Sequence, residues 1–487
     1  MNVHDQKDTH LTAGSQERSS VKADAHSSIS LLPTHPGGWA QYPFEKLFQL
    51  SLKDIEKLQL EAVQQRFDQL KDSVPALERL ANRQGVKRIE RISDALPLFF
   101  DHRVYKSYPL SLIETRDFSK LTAWLNRLTL HNLLKMDLSG LNTIDGWLSR
   151  LDDYGMMIGH STGTTGKLSF IPRSLVEWPA FKASYNDTSR ASSGVDPTKD
   201  FLPTFFPGYR GGHQMMMKML NLFNIPAAGG PEHYHTLYQT PLSSDLMSLA
   251  ARLQSAEDKG DLARLGLDPA LLQQREQMIA QGRRREQDME EWFTKLIEQY
   301  RGKRVKIGGT FADLTRVALR GKAKGLKCSF APGSIINSGG GMKGYKDAPA
   351  NWRELIQEFF GIDRISTVYG MSESIANAPL CSHGFHHFLP YTMPILIDKD
   401  AKELPREGVQ TGRMALFDLL AETYWGGFIS GDQVTMYWDE NCPCGWKGPR
   451  ISSDITRFAD MEGGDDKITC AGSAQAYNEF MDYVMQV

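Results

Sequence analysis

The chain has 487 residues, of which 41% are hydrophobic and 23% charged, with a formal net charge of −2. That length exceeds one ordinary core and calls for several domains or subdomains. The near-neutral balance supplies no global field for nucleic acid or an anionic membrane, and no run of about 18 apolar residues offers a membrane span. The N-terminal stretch lacks an apolar h-region, so no secretory signal is expected. The five cysteines are then expected to stay reduced in a cytoplasmic protein.

Residues 1–30 are polar, and a disordered tail is expected there. From Phe44 to Asn82 the apolar residues Phe48, Leu52, Ile55, Leu58, Val63, Phe67, Leu70, Val74 and Leu77 fall near helical spacing, predicting two helices broken at Ser73–Pro75. Residues 83–150 read as mixed helix and loop, with Leu96–Phe100 as a buried run. Met156–Gly159 and Leu168–Ile171 read as short buried strands joined by a hairpin-like loop. Leu202–Phe206, the glycine turn 207–212 and Met215–Phe223 make a strand–turn–helix unit, its loop where open α/β sheets place ligands. Residues 245–302 read as helix with a solvated charged face.

Strands at Val305–Gly309, Ser334–Ser338 and Ile365–Gly370 alternate with helices at Phe311–Lys324 and Trp352–Phe360, which implies a parallel sheet. After residue 390, short strands at Pro394–Ile397, Arg413–Asp418 and Gln433–Trp438 predict a small antiparallel, barrel-like unit. The fold class is α/β. The expected divisions are a tail (1–30), an α/β core (31–390), a β-rich subdomain (391–460) and a C-terminal remnant (461–487).

Three segments carry candidate chemistry. The loop Ser161-Thr162-Gly163-Thr164-Thr165-Gly166-Lys167 holds four hydroxyls, two glycines and one lysine. Its glycines free backbone N–H groups, and Lys167 adds a compact cation, which suits a polyphosphate. It departs from the G-x-x-x-x-G-K-[ST] loop at Ser161 and Leu168, so a kinase or GTPase reading is weak. Tyr369-Gly370-Met371-Ser372-Glu373 then offers a ring to stack on a base and a carboxylate for magnesium, because hard cations take oxygen ligands. Asp432, read at a strand end in Ser430-Gly431-Asp432, can accept both hydroxyls of a ribose.

A fourth constellation is metal-like. Cys442 and Cys444 form C-P-C, and Cys381 precedes His383, His386 and His387. Three thiolates and one imidazole suit tetrahedral zinc. His386 is the expected fourth ligand, with His383 and His387 as alternatives.

In this order and at these separations, the three nucleotide-directed segments resemble the adenylate-forming superfamily of acyl- and aryl-CoA synthetases. The resemblance is closest to phenylacetate–CoA ligase-like proteins and to the acyl-protein synthetase of bacterial luminescence. Ser338-Gly339-Gly340-Gly341-Met342-Lys343 and Asn441-Cys442-Pro443-Cys444-Gly445 support it, and it covers roughly residues 40–472. It implies an ATP- and Mg2+-dependent enzyme that activates a carboxylic acid as its acyl-adenylate and passes the acyl group to a thiol (coenzyme A, a carrier protein or a partner cysteine) or to an amine. By the same resemblance, residues 161–167 grip the β- and γ-phosphates, Tyr369 packs on adenine, Glu373 binds magnesium and Asp432 holds the ribose. Gly370 and Ser372 belong to that nucleotide segment. Gly339, Gly340 and Gly341 border the adenine and acyl pocket, and Tyr209, Arg210 and Gly211 lie near the acid.

Related enzymes continue into a mobile C-terminal domain that carries a bridging lysine. Here Glu462–Asp466 matches the paired aspartates of its hinge without the arginine, and that domain is expected to be largely absent. Arg450 and Arg457 are the candidates for a phosphate- or ribose-contacting arginine. A partner protein or another lysine would supply the missing function. The rival expectation is a catalytically weakened scaffold that binds nucleotide or acyl ligand within a complex.

Overall fold

The computed structural model describes residues 32–162, 167–260, 269–339, 345, 347–439, 441–461 and 472–486. The expected N-terminal tail and the 462–466 hinge lie outside the described residues. The first helical stretch breaks where its chemistry requires. Ser51 accepts the Asp54 N–H at 3.1 Å and starts the helix Leu52–Leu70. Pro75, which lacks an N–H and cannot extend a preceding helix, opens the next helix, Pro75–Gln84. Gly85, at φ 71°, closes it.

A two-residue strand β1 (Phe100–Asp101) is followed by an antiparallel hairpin of β2 (Gly159–Thr162) and β3 (Leu168–Ile171). The hairpin expected around the phosphate loop is thus present, its first strand beginning at Gly159 rather than Met156. The next five strands are β4 (Thr204–Tyr209), β5 (Tyr234–Tyr238), β6 (Lys306–Thr310), β7 (Ile335–Gly339) and β8 (Ile365–Ser366). They form the expected parallel sheet, in the order β5-β4-β6-β7-β8. β4 runs on through Pro207 and Gly208, which the sequence reads as a turn. A register irregularity between Phe206 and Tyr209 absorbs them within the strand.

Past β9 (Val368–Tyr369) and β10 (Ala378–Pro379), the chain builds a seven-stranded sheet. Its strands are β11 (Phe385–His387), β12 (Thr392–Ile397), β13 (Val409–Asp418), β14 (Gly427–Tyr437), β15 (Arg450–Ser452), β16 (Thr456–Arg457) and β1. The order is β11-β15-β14-β13-β12, with β16 antiparallel and β1 parallel to β14. Among the described residues that order is an open path, not a closed ring.

Packing does not divide at residue 390. One core joins Trp39, Phe67 and Leu77 of the N-terminal helices, Phe170 of the hairpin, Phe417, Trp425 and Phe428 of the β-rich sheet, and Tyr477, Phe480 and Val484 of the helix Ala474–Met485. The C-terminal segment is therefore part of the main core and not a detached lid remnant. Phe480 stacks on Phe100 at 5.5 Å, and the Tyr477 hydroxyl accepts the Asp101 N–H at 3.1 Å. A second core under the parallel sheet contains Phe205, Ile307, Leu314, Ile336, Ile356 and Phe360. No helix among the described residues is long and apolar enough to cross a membrane.

Candidate active site

The β2–β3 hairpin sets Ser161 opposite Ser169 and Thr162 opposite Leu168. Gly163, Thr164, Thr165 and Gly166 lie outside the described residues. The base of the hairpin is anchored at His160. Its backbone N–H donates to the His213 carbonyl at 3.0 Å, and its Nε2 lies 2.9 Å from the Ser244 hydroxyl. Burial pushes the His160 imidazole down to about 4, so the ring is neutral.

At the other end of the loop, Lys167 Nζ donates to the Tyr108 carbonyl at 2.7 Å and sits 5.5 Å from the centre of the Tyr108 ring. The Tyr108 hydroxyl donates to the Leu168 carbonyl at 2.9 Å. The segment 104–108 is thus bonded to the start of β3. Burial first, then the charge of Lys106, holds Lys167 below the ordinary lysine range. Lys106 was not singled out from the sequence, because it sits in a mixed stretch with no motif. Only the fold brings it to the loop.

Glu373 follows β9 by a tight turn. Gly370 is required there, since a Cβ would lie 1.7 Å from Asn377 Oδ1. Arg173, fully buried, donates to the Ser372 carbonyl at 3.1 Å and lies 4.9 Å from the centre of the Phe181 ring. Arg173 was also missed, because a buried arginine leaves no periodic signal. Close packing raises the Glu373 carboxyl, opposed by the charges of Arg173, Lys106 and Arg457. Among the described residues its carboxylate receives a hydrogen bond only from its own backbone N–H. A carboxylate with lone pairs open suits a hard cation such as Mg2+.

Tyr369 donates its hydroxyl to Asp432 Oδ2 at 3.0 Å, and Arg457 Nε lies 3.7 Å from Asp432 Oδ1. Asp432 and Arg457 face each other across β14 and β16. Contrary to the sequence reading, Asp432 is not at a strand end but within β14. Arg413 pairs with Gln433 and Ala415 with Ile429, so residues 430–432 oppose Met414 alone. This bulge, tied by the Ser430 hydroxyl to the Met414 carbonyl at 2.8 Å, re-aims Asp432 toward Tyr369.

Electrostatics thus link the three segments. Lys106 acts on both Lys167 and Glu373, while Arg457 acts on Glu373 and lies close to Asp432. Arg450 is not brought here. Its guanidinium donates to the Asp439 carbonyl at 2.8 Å and to Asp439 Oδ1 at 2.9 Å, flanked by the rings of Phe385 and Tyr437.

At the end of β4, Tyr209 donates to Gln281 Oε1 at 3.2 Å and packs 4.9 Å from Tyr238. Arg210 is committed to the backbone, donating to the Tyr234 carbonyl at 2.9 Å and the Pro231 carbonyl at 2.7 Å. Among the described residues those two bonds leave its other N–H donors uncommitted. Gly211, at φ 116°, accepts the Leu242 N–H at 3.1 Å. Gly339 ends β7, and among the described residues nothing beyond its chain neighbours lies within 4 Å of where a Cβ would stand. Gly340 and Gly341 lie outside the described residues.

The metal candidate assembles with one correction. Ligand atoms of Cys381, His387, Cys442 and Cys444 all lie within 4.8 Å of one another. His386 is excluded, because adjacent residues on β11 face opposite sides of the sheet. His386 Nδ1 instead meets the Ala378 carbonyl at 3.1 Å, and its ring lies 6.3 Å from that of Tyr369. Cys381 and Cys442 have their sulfurs 3.9 Å apart, and Cys444 Sγ is 3.5 Å from His387 Nε2. A tetrahedral zinc with ordinary bond lengths requires edges of about 3.8 Å between sulfurs and about 3.6 Å from sulfur to nitrogen. The donor set fits that ion.

No family model and no curated protein sequence matches this chain. Among solved structures it is similar to 2-hydroxyisobutyryl-CoA ligase in the postadenylation state with R3-HIB-AMP, at 12% identity and a TM-score of 0.46, over 88% of this chain and 73% of that one. It is also similar to the amide bond synthetase McbA from Marinactinospora thermotolerans, at 14% identity and a TM-score of 0.32, over 62% of this chain and 49% of that one. A third is the anthranilate CoA ligase AuaEII with anthranoyl-AMP, at 11% identity and a TM-score of 0.33, over 63% of this chain and 48% of that one. The chain spans about half the length of the last two. These neighbours are adenylate-forming enzymes, the superfamily that the motifs resemble. At such scores the likeness is loose, and the functional reading rests on the site itself.

Proposed function

We propose that this protein activates a carboxylic acid as its acyl-adenylate, using ATP and Mg2+, and passes the acyl group to a thiol or amine. The observation that supports this reading is the contact of Asp432 with Tyr369 and Arg457, together with the charge of Lys106 felt by both Lys167 and Glu373. A carboxylate oxygen of the acid attacks the α-phosphorus, the bond to the bridging oxygen breaks, and pyrophosphate leaves with the electron pair.

Lys167, with the hydroxyl of Ser161, holds the phosphate tail. Asp432 keeps one oxygen on the Tyr369 hydroxyl and presents the carboxylate to the ribose. Glu373 would hold the metal, which would supply charge neutralisation on the phosphates. Catalysis of this kind is mainly positioning and charge neutralisation. The structural zinc would be held by Cys381, His387, Cys442 and Cys444, joining the β10–β11 turn to the segment after β14. The protein would act in the cytoplasm.

The test is pyrophosphate exchange into ATP with a panel of aryl and fatty acids, alongside ATP binding followed by thermal shift. Exchange with at least one acid is expected. Absence of both exchange and ATP binding ends the reading. ATP binding without exchange favours the scaffold alternative.

A further inference from the structure

A cavity of about 570 Å3 is lined by residues outside the three nucleotide-directed segments. It is lined by Ser192 at the end of the helix Trp178–Ser193, Arg353 and Gln357 of the helix Trp352–Phe360, Asp363 and Arg364 at the entry to β8, and the β10–β11 turn beside Cys381 and Cys444. Tyr369, Glu373, Asp432 and Lys167 are not on its wall.

The volume falls within the range of small-molecule sites, roughly 300–1,000 Å3. Two guanidiniums face one carboxylate on its wall. Arg353 is fixed by the rings of Phe311 and Trp352, at 5.5 and 5.1 Å. One helical turn on, Gln357 shares its face, with its amide turned to the Asp363 carbonyl at 2.6 Å. Arg364 lies against Gly194, where a Cβ would come within 2.7 Å of Nη1, so the glycine leaves room for the guanidinium. Among the described residues neither arginine has a carboxylate partner, unlike Arg190, Arg285, Arg320, Arg406 and Arg450. Guanidiniums without carboxylates on the wall of a cavity suit a phosphate, which they bind by paired N–H donors. Asp363 adds an acceptor for a hydroxyl.

We propose that this cavity binds a small phosphate monoester bearing a hydroxyl, held by Arg353 and Arg364, at a site separate from the nucleotide cluster. The inference does not depend on the adenylation reading.

The test is calorimetric titration of the full chain with glycerol 3-phosphate, using glycerol as the neutral control. Saturable binding of the phosphate ester and none of glycerol is expected. Arg364→Gln, at an exposed position, and the double variant Arg353→Gln/Arg364→Gln should weaken it at least about tenfold. Lys167→Ala, in the other cluster, should leave it unchanged. No saturable binding, binding that survives the double variant, or binding lost in Lys167→Ala would each overturn the proposal.

Discussion

At the scale of single residues, the nucleotide cluster depends on charges that the fold holds close to protein. Lys167→Ala and Asp432→Ala should each lower pyrophosphate exchange by roughly 100-fold, the scale of losing one preorganised electrostatic contact. Glu373 separates activity from stability. Its raised carboxyl keeps its proton to higher pH in the folded chain than in the unfolded one. It therefore costs stability as pH rises from the ordinary glutamate range through its folded value. Glu373→Gln should abolish exchange yet raise the Tm of the unliganded protein at neutral pH by about 1–2 °C, seen by calorimetry. An unchanged or lower Tm would mean that the carboxylate has a stabilising partner.

Residue identity was largely legible in sequence, whereas side-chain direction was not. Lys167, Glu373 and Asp432 were read from their motifs, and of these Asp432 is held by Tyr369 and Arg457. His386 was chosen over His387 because spacing alone does not say which of two neighbours on a strand faces the thiols. Arg210 and Arg450 looked free in sequence, since the carbonyls and carboxylate that occupy them come from distant segments. Lys106 and Arg173 carried no signal, as each acts only through a partner brought by folding.

At the scale of elements, the periodic segments were the readable ones. The helix Trp352–Phe360 and the alternating strands of the parallel sheet followed from apolar spacing and turn residues. Asp432 was misread as a strand end because Gly431 looks like a turn, and a bulge in a paired strand has no distinct composition.

Two predictions belong at this scale. The hairpin rests on His160, neutral and buried, with its folded value near 4 against an ordinary 6.5. The unfolded chain takes up that proton first, so stability falls as pH drops from 6.5 toward 4. His160→Gln, which keeps a hydrogen-bonding group without the titration, should lose less Tm than the parent chain between about pH 7 and pH 5. Equal losses would remove His160 as a source of acid sensitivity. The thiol cluster makes the second. Elemental analysis should find about one zinc per chain, and Cys442→Ser should lose it with a fall in Tm. A metal-free chain with undiminished Tm would leave only reduced cysteines.

At the scale of the whole molecule, the C-terminal helix was the largest departure from expectation. Residues 461–487 read as the hinge and remnant of a largely absent domain, yet Tyr477, Phe480 and Val484 are buried in the main core. Phe480→Ala should destabilise by about 3–5 kcal/mol, measured by denaturant unfolding. A loss under about 1 kcal/mol would mean that the helix merely rests on the surface.

The meeting of β1 with β14 and with Tyr477 bears on biogenesis. Phe100 and Asp101 pair with Phe428 and Ile429, and the Asp101 N–H is satisfied by a hydroxyl 376 residues further along. The amino-terminal helices therefore cannot complete their core until residues 427–484 have been made and have left the ribosome. Until then the half-made protein carries exposed apolar surface that holdase chaperones would be expected to shield.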